Sequence, residues 1–420
     1  MKYDFHSIID RRGKDATAFD GIGSYVWGFE PEAAKPGYDE IPMWVADMNF
    51  KTAPAVTKAL EERIRHPLYG YFTPSDLYYQ RIIDWQRDLH GYGALPGFGI
   101  DMIGYENGVH GCIVSCLNAL TEPGDPVFFH APAYVGFLHD MRDTGRRPVL
   151  SLLKKDDRGI WRMDYEDMDR KIRENGVRVA IFCSPHNPSG RVWERTEIEE
   201  AMRIFADNHV TVISDEIWSD IVFEGHEHIP TCLLSEDASK RTIGIYAPSK
   251  TFNLAGLIGS YHIIPNPVLR EKIRNHGLKT HYNDMNVLSM HALIGAYSHE
   301  GREWRNELMQ VLEKNCRYAT DYINQELPGC QASMPEGTYM IFMECGAYLD
   351  KYNMSLDQIL KKGWDVGVAY EDGRAFAFDK AIRLNVALPM KKVEEAMDRL
   401  ARYVFTDVQK TAGVKSKAFF

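Results

Sequence analysis

Thr242-Ile243-Gly244-Ile245-Tyr246-Ala247 runs straight into Pro248-Ser249-Lys250-Thr251-Phe252-Asn253-Leu254-Ala255-Gly256. The first six residues form a short apolar run, the pattern of a buried strand. The residues after them are small and turn-forming, with one lysine among them. Working outward, Val210–Ser214 is a second apolar strand and delivers Asp215 to a strand end. Val179–Cys183 is a third, followed by a turn-rich segment and a helix from about Thr196. Val127–His130 and Asp101–Tyr105 read as further strands, and Val109, Cys112, Ile113, Cys116, Leu117 and Leu120 follow at helical spacing. Short apolar strands alternating with helices predict an α/β domain with a mostly parallel sheet. Ligands in such sheets gather at the carboxyl ends of the strands.

The flanks read differently. Residues 1–41 show little periodicity and predict an irregular arm, after which Ile41–Ala46 is apolar. Thr73-Pro74 reads as an N-cap and first helical position, with His90-Gly91 as the stop. Beyond about residue 290, Leu308, Val311, Leu312, Ala319, Tyr322 and Ile323 mark a long amphipathic helix. Tyr339–Met343 and Ile382–Leu388 are strand candidates, and Val393 to Val404 a final helix. The division expected is an arm with part of a small domain over 1–45, a large domain over 46–290, a small α/β domain over 291–410 and a mobile tail over 411–420.

The 420 residues allow two or three domains. Lys plus Arg is 49 and Asp plus Glu 59, a formal charge of -10. That balance argues against a bulk basic surface for nucleic acid. Mean hydropathy is -0.35. There is no apolar run of about 18 residues for a membrane span, and the start MKYDFHSIID lacks a signal-peptide core. The seven cysteines are dispersed and odd in number, so reduced thiols in the cytoplasm are expected.

Three segments carry chemistry. A lysine at the Lys250 position is either a solvated loop residue or an amine held in a cleft, where desolvation lowers its pKa and permits Schiff-base chemistry. Asp215 is either a helix cap or an acceptor for a protonated cofactor nitrogen. Glu216 beside it is expected at the surface or in a cap. Asn107-Gly108-Val109-His110-Gly111 lies between strand and helix. Its glycines permit close approach and the helix start offers N–H groups to a phosphate, although a tight structural turn is the commoner explanation of such a segment. It lacks the Gly-Lys-Ser ending of a Walker loop.

Taken in order along the chain, Pro42-Met43-Trp44-Val45-Ala46-Asp47-Met48, Tyr69-Gly70-Tyr71, Ser184-Pro185-His186-Asn187-Pro188-Ser189-Gly190-Arg191-Val192-Trp193, Ser214-Asp215-Glu216-Ile217, Ser249–Gly256 and Ile382-Arg383-Leu384-Asn385 resemble the fold-type I pyridoxal-phosphate enzymes, the class I/II aminotransferase superfamily. The nearer likeness is to its cystathionine beta-lyase and cysteine-sulfur lyase branch. The resemblance implies a large domain with a mostly parallel mixed sheet and a smaller carboxyl-terminal α/β domain. It implies that Lys250 carries pyridoxal phosphate covalently and serves as acid/base, and that Asp215 pairs with the pyridine nitrogen. It implies that Asn187 bonds the ring's phenolic oxygen, that Tyr134 stacks on the ring, and that Gly108, Val109, His110 and Ser249 hold the phosphate. Tyr71 is implied to reach in from the partner of a homodimer, although from the residues alone Tyr69 and Tyr71 read as core aromatics. Arg383, with Asn187, is implied to bind the carboxylate of a sulfur-containing L-amino acid, a surface salt bridge being its plainer reading. The implied reaction is β-elimination from a cysteine S-conjugate, giving thiol, pyruvate and ammonia. Transamination is the alternative, and a pyridoxal-phosphate-binding regulatory protein a third reading.

Some positions depart from the pattern. Asn49 stands where the branch usually has an acid, Trp218 where aminotransferases carry Tyr and lyases His, and Met390 where Arg is frequent. Residues 15–40 match poorly. Trp218 is expected near the cofactor ring. His226-Glu227-His228 has a metal-ligand look but not the His-Glu-x-x-His spacing, so no metal is expected. Cys112 and Cys116, one helical turn apart, read as small core residues.

Overall fold

The computed structural model describes residues 1–24 and 30–407. The 411–420 segment expected to be a mobile tail therefore lies outside the described residues, as does part of the poorly matching 15–40 stretch. The main sheet is built from β1 (Ile103–Glu106), β2 (Pro126–Ala131), β3 (Arg147–Leu152), β4 (Val179–Cys183), β5 (Thr211–Asp215), β6 (Thr242–Tyr246) and β7 (Ser260–Ile263). Its order is β1-β7-β6-β5-β4-β2-β3. From β6 to β3 every neighbour is parallel, and β7 runs antiparallel to both β6 and β1. All residues of β4 and β6 are buried, which is why they read as unbroken apolar runs.

Four of the helices that accompany this sheet are α1 (Pro54–Ile64), α2 (Asp76–His90), α3 (Gly108–Leu120) and α4 (Val135–Thr144). The predicted α2 starts later than Thr73-Pro74. Its N-cap is Ser75, whose hydroxyl accepts from the Tyr78 N–H, while Gly91 at φ 75° ends it as expected. Cys112, Ile113, Cys116 and Leu117 of α3 pack on Val127, Phe129, Ile181, Ile213 and Ile245 of the sheet. Trimming one such large aliphatic residue to Ala costs about 2–5 kcal/mol. Both cysteines are thus small core residues, and all seven cysteines of the chain are free and buried.

The chain divides into two compact units. One comprises Met1–Asp4, Lys51–Val311 and Glu336–Thr338, and the other Phe5–Phe50, Leu312–Pro335 and Tyr339–Phe420. The first therefore reaches past the boundary near residue 290 that the change of sequence texture suggested. The reason is the Val287–Ala296 helix, which packs on α1 within the first unit. The smaller unit carries a four-stranded antiparallel sheet in which Met340–Glu344 and Ala381–Asn385 are central. No helix among the described residues is long and apolar enough to cross a membrane.

Candidate active site

The carboxyl ends of β4, β5 and β6 lie side by side. Cys183 is the register partner of Asp215, and Asp215 of Ile245. A cavity of about 180 Å³ opens beyond them within the larger unit. Gly108, Val109, His110, Tyr134, Asn187, Asp215, Trp218, Ser249 and Lys250 all line it, although they are spread over more than 140 positions of sequence. Ile113, Cys183, Ile217, Ala255, Ile258 and Gly259 complete the wall. Ile258 holds φ 44°, the left-handed region that a β-branched residue seldom occupies. No sequence signal pointed to it.

One end of the cavity is the start of α3. Gly108 sits at φ 77°, a conformation that glycine adopts without a Cβ penalty. The first-turn amides of a helix have no partner within it and favour an anion. Ser249 adds a hydroxyl at the same cavity. Tyr134 caps α4, and its phenol oxygen is 3.0 Å from His110 Nε2. Asn187 is placed by the buried 184–190 turn, where His186 Nδ1 and Ser189 Oγ are 2.8 Å apart. Arg191 of that segment is a structural ion pair with Glu197 and Glu336, and is not part of the cavity wall.

Asp215 is buried and accepts from the Ile217 N–H at 3.2 Å. Burial pushes its carboxyl up to about 6, against the opposing influence of that N–H, His110 and Lys250. It is thus a carboxyl in the cavity wall whose charged form burial disfavours. Lys250 Nζ lies 5.7 Å from the ring centroid of buried Trp218. Burial raises the Cys183 thiol well above its ordinary value, which disfavours the nucleophilic thiolate.

Two buried acids behind the site escaped the sequence reading. Glu216, expected at the surface or in a cap, is wholly buried. It accepts from His228 Nε2 at 2.8 Å, the Tyr246 hydroxyl at 2.5 Å, Ser214 Oγ at 2.8 Å and the Thr231 N–H at 3.0 Å. Burial raises its pKa, but the bonds from His228 and Tyr246 outweigh burial and leave it below the usual value. His228 therefore serves Glu216, while His226 stands 3.9 Å from Glu336, so the His-Glu-His run is not a ligand cluster. Asp220 takes Trp85 Nε1, His90 Nε2 and Thr251 Oγ1 at 2.8–2.9 Å and so anchors the residue next to Lys250. Elsewhere Glu106, Cys112 and His262 bring ligand atoms close together, with His262 Nδ1 bonded to Glu106 at 2.7 Å.

Two predicted residues are not in the cavity wall. Tyr71 is fully exposed and Tyr69 half-exposed, so neither is a core aromatic. Arg383 belongs to the smaller unit, buried, with Nη2 donating to the Trp44 carbonyl at 2.9 Å and to the Glu371 carboxylate. It is not a surface salt bridge. Asn49 in the same unit accepts from Arg11 at 3.1 Å, and Arg11 also pairs with Asp47 at 2.5 Å.

Comparison with known proteins gives the family of the chain. Residues 49–400 match the family model "Aminotransferase class I and II". Over 366 residues the chain is 34% identical to the cystathionine beta-lyase PatB of Bacillus subtilis, covering 86% of this chain and 92% of that one. A PLP-bound crystal structure from Clostridium difficile 630, provisionally described as an aminotransferase, superposes with a TM-score of 0.85 at 32% identity, covering 95% of this chain and 99% of that one. The PLP-bound C-S lyase of Staphylococcus hominis gives a TM-score of 0.85 at 27% identity, covering 97% and 99%. The cavity at the ends of β4, β5 and β6 is thus set in a chain that belongs to the class I and II aminotransferase family.

Proposed function

We propose that this protein is a pyridoxal-phosphate-dependent β-lyase that cleaves the carbon–sulfur bond of L-cysteine S-conjugates, cystathionine among them, to thiol, pyruvate and ammonia. The observation that carries the reading is the meeting in one cavity of the Lys250 amine, the buried Asp215 carboxyl and the anion-binding start of α3. That donor set fits an aldehyde-bearing pyridinium phosphate. Gly108, Val109, His110 and Ser249 would hold its phosphate, and Asp215 its ring nitrogen. Tyr134 and Trp218 would flank its ring, and Asn187 its phenolic oxygen. When bound, the cofactor supplies an electron sink for a carbanion at the substrate Cα.

Lys250 would hold the cofactor covalently, and its freed amine would move the proton at the substrate Cα. Arg383 binds the substrate carboxylate, for which its planar fork is suited, with Glu371 fixing the guanidinium. A thiolate departs readily because thiols are far more acidic than alcohols, with a pKa of about 8.5 for free cysteine. The lyase names borne by the Bacillus and Staphylococcus relatives support this outcome. Transamination is the second reading, supported by the Clostridium structure. It uses the same residues and differs in where Lys250 returns the proton.

The active form is a homodimer with composite sites. Exposed Ile64, Leu68, Tyr69 and Tyr71 form an apolar segment at the surface, suited to a two-fold contact in which Tyr71 reaches the partner's cavity. The free buried cysteines fit a cytoplasmic enzyme, and the charge of -10 fits a small-molecule substrate rather than nucleic acid. Borohydride reduction of the purified protein followed by peptide mass analysis tests the cofactor assignment. A pyridoxyl adduct on Lys250 is expected, and an adduct only at other lysines rejects it.

A further inference from the structure

Glu106 and His262 share one face of two neighbouring strands. Glu106 ends β1 and His262 lies in β7, with the register setting Ser260 against Glu106 and Gly104 against His262. The imidazole crosses to Glu106 over Gly104. A Cβ on Gly104 would lie 2.3 Å from both Cε1 and Nε2 of His262, so only glycine leaves that path open. His262 Nδ1 stands 2.7 Å from Glu106 Oε1. The third member comes from α3. Cys112 lies one turn into that helix, packed in the core between helix and sheet. Its Sγ and one ligand atom each of Glu106 and His262 all lie within 4.8 Å of one another. All three residues are buried, Glu106 at 1% exposure, and none of them lines the cavity described above.

The cluster lacks a partner. Glu106 Oε2 is buried and bonded to nothing, and among the described residues the one side chain that pairs with this carboxylate is His262. A buried carboxylate oxygen left without a partner is costly. Carboxylate, thiolate and imidazole are together the ligand types that Zn²⁺ accepts, with three protein ligands leaving a fourth position to water. Ca²⁺ and Mg²⁺ prefer oxygen alone. Two anionic ligands and a neutral imidazole also balance a dication, so the filled site carries no net charge into the core. We propose that Glu106, Cys112 and His262 form a buried site for a divalent transition-metal ion of the Zn²⁺ class. The thiolate is the ligand, so each ion taken up releases the Cys112 proton to solvent. The imidazole keeps one proton and binds through its other nitrogen. The ion joins β1, β7 and α3 behind the anion-binding start of that helix and takes no part in breaking the carbon–sulfur bond. Its ligands come from three separate elements, so the site exists only in the folded chain and fills as the chain folds.

Zinc alone is the probe. Protein expressed in zinc-supplemented medium and purified with its cofactor is dialysed against zinc-free buffer, and its metal is measured by mass spectrometry. About one zinc per chain is expected. X-ray absorption at the zinc edge should show a shell with a single sulfur at about 2.3 Å and nitrogen or oxygen at about 2.0–2.2 Å. Losing an outer-shell partner costs about 10- to 100-fold in metal affinity. Cys112→Ala and Glu106→Gln each remove a ligand and should weaken zinc binding by at least about 100-fold. Circular dichroism checks that both variants fold, and if either does not, the wild-type shell decides alone. Wild-type protein that retains no zinc, a shell without sulfur, or equal retention by folded variants overturns the proposal. None of these readouts needs turnover, so a failure of the proposed lyase reaction is seen separately.

Discussion

Lys250 Nζ lies over the indole of Trp218, 5.7 Å from the ring centroid. Trp218 stands at a position where the family resemblance leads one to expect Tyr or His, and its ring occupies the cavity wall beside the lysine. That contact belongs to the free ammonium, so in the loaded protein the indole serves by packing on the cofactor ring, worth about 0.5–1.5 kcal/mol. Trp218→Ala should therefore weaken cofactor retention by about 2- to 13-fold, and Trp218→Phe by less. Dissociation constants from equilibrium dialysis check this. Equal affinity in all three proteins would show that the indole only fills space.

Asp215 sets a stability that depends on pH. Burial pushes its carboxyl up to about 6, above an unfolded value of about 3.9. The folded state then binds the extra proton between those two values, and the cost of the buried carboxylate is complete above about pH 6. In cofactor-free protein Asp215→Asn should gain on the order of 1–3 kcal/mol at pH 8, and the gain should fade towards pH 4. Turnover should drop on the order of 100-fold or more, because the variant cannot balance a protonated ring nitrogen. Urea unfolding at both pH values reads the gain, and the same gain at pH 4 as at pH 8 contradicts the assignment.

Arg383 and Glu371 form a buried pair in the smaller unit. Removing only Arg383 leaves a buried carboxylate and should cost about 3–5 kcal/mol. Replacing both, as Arg383→Met with Glu371→Leu, should recover most of that stability. It should not recover substrate binding, so KM for the amino acid stays raised by at least about 30-fold, the lower end of losing a buried charged contact. A stable double variant with an unchanged KM would reduce Arg383 to a packing role.

Tyr71 gives a test by mixing. Tyr71→Ala and Lys250→Ala proteins are each expected to be weak or inactive. In a mixed dimer one of the two composite sites has both wild-type residues. Random exchange should then restore up to about a quarter of the wild-type rate. No gain on mixing, or a fully active monomer in light scattering, removes the composite site.

Much of this was legible in the sequence, for physical reasons. β4 has its predicted bounds because Val179–Cys183 is buried on both faces, and the equally buried β6 starts at Thr242 as expected but ends at Tyr246, one residue before Ala247. Arg147–Leu152 escaped because it is the edge strand, with exposed residues and a proline. Ser260–Ile263 is fully buried yet carries Ser and His, and His262 is tolerated only because Glu106, 156 residues away, receives it. The strand-end residues were found because an apolar run ends at each of them. Glu216 and Asp220 were not read as partners because their bonds join distant segments, which spacing does not reveal.

The fate of the carbon–sulfur bond separates β-elimination from transamination. Purified protein given cystathionine and a panel of L-cysteine S-conjugates, with and without α-keto acids, should release thiol, pyruvate and ammonia in equal amounts. The rate should not depend on the acceptor, and Lys250→Ala should abolish it. Amino exchange that requires the acceptor, with the carbon–sulfur bond left intact, would rule out the lyase and make the protein an aminotransferase.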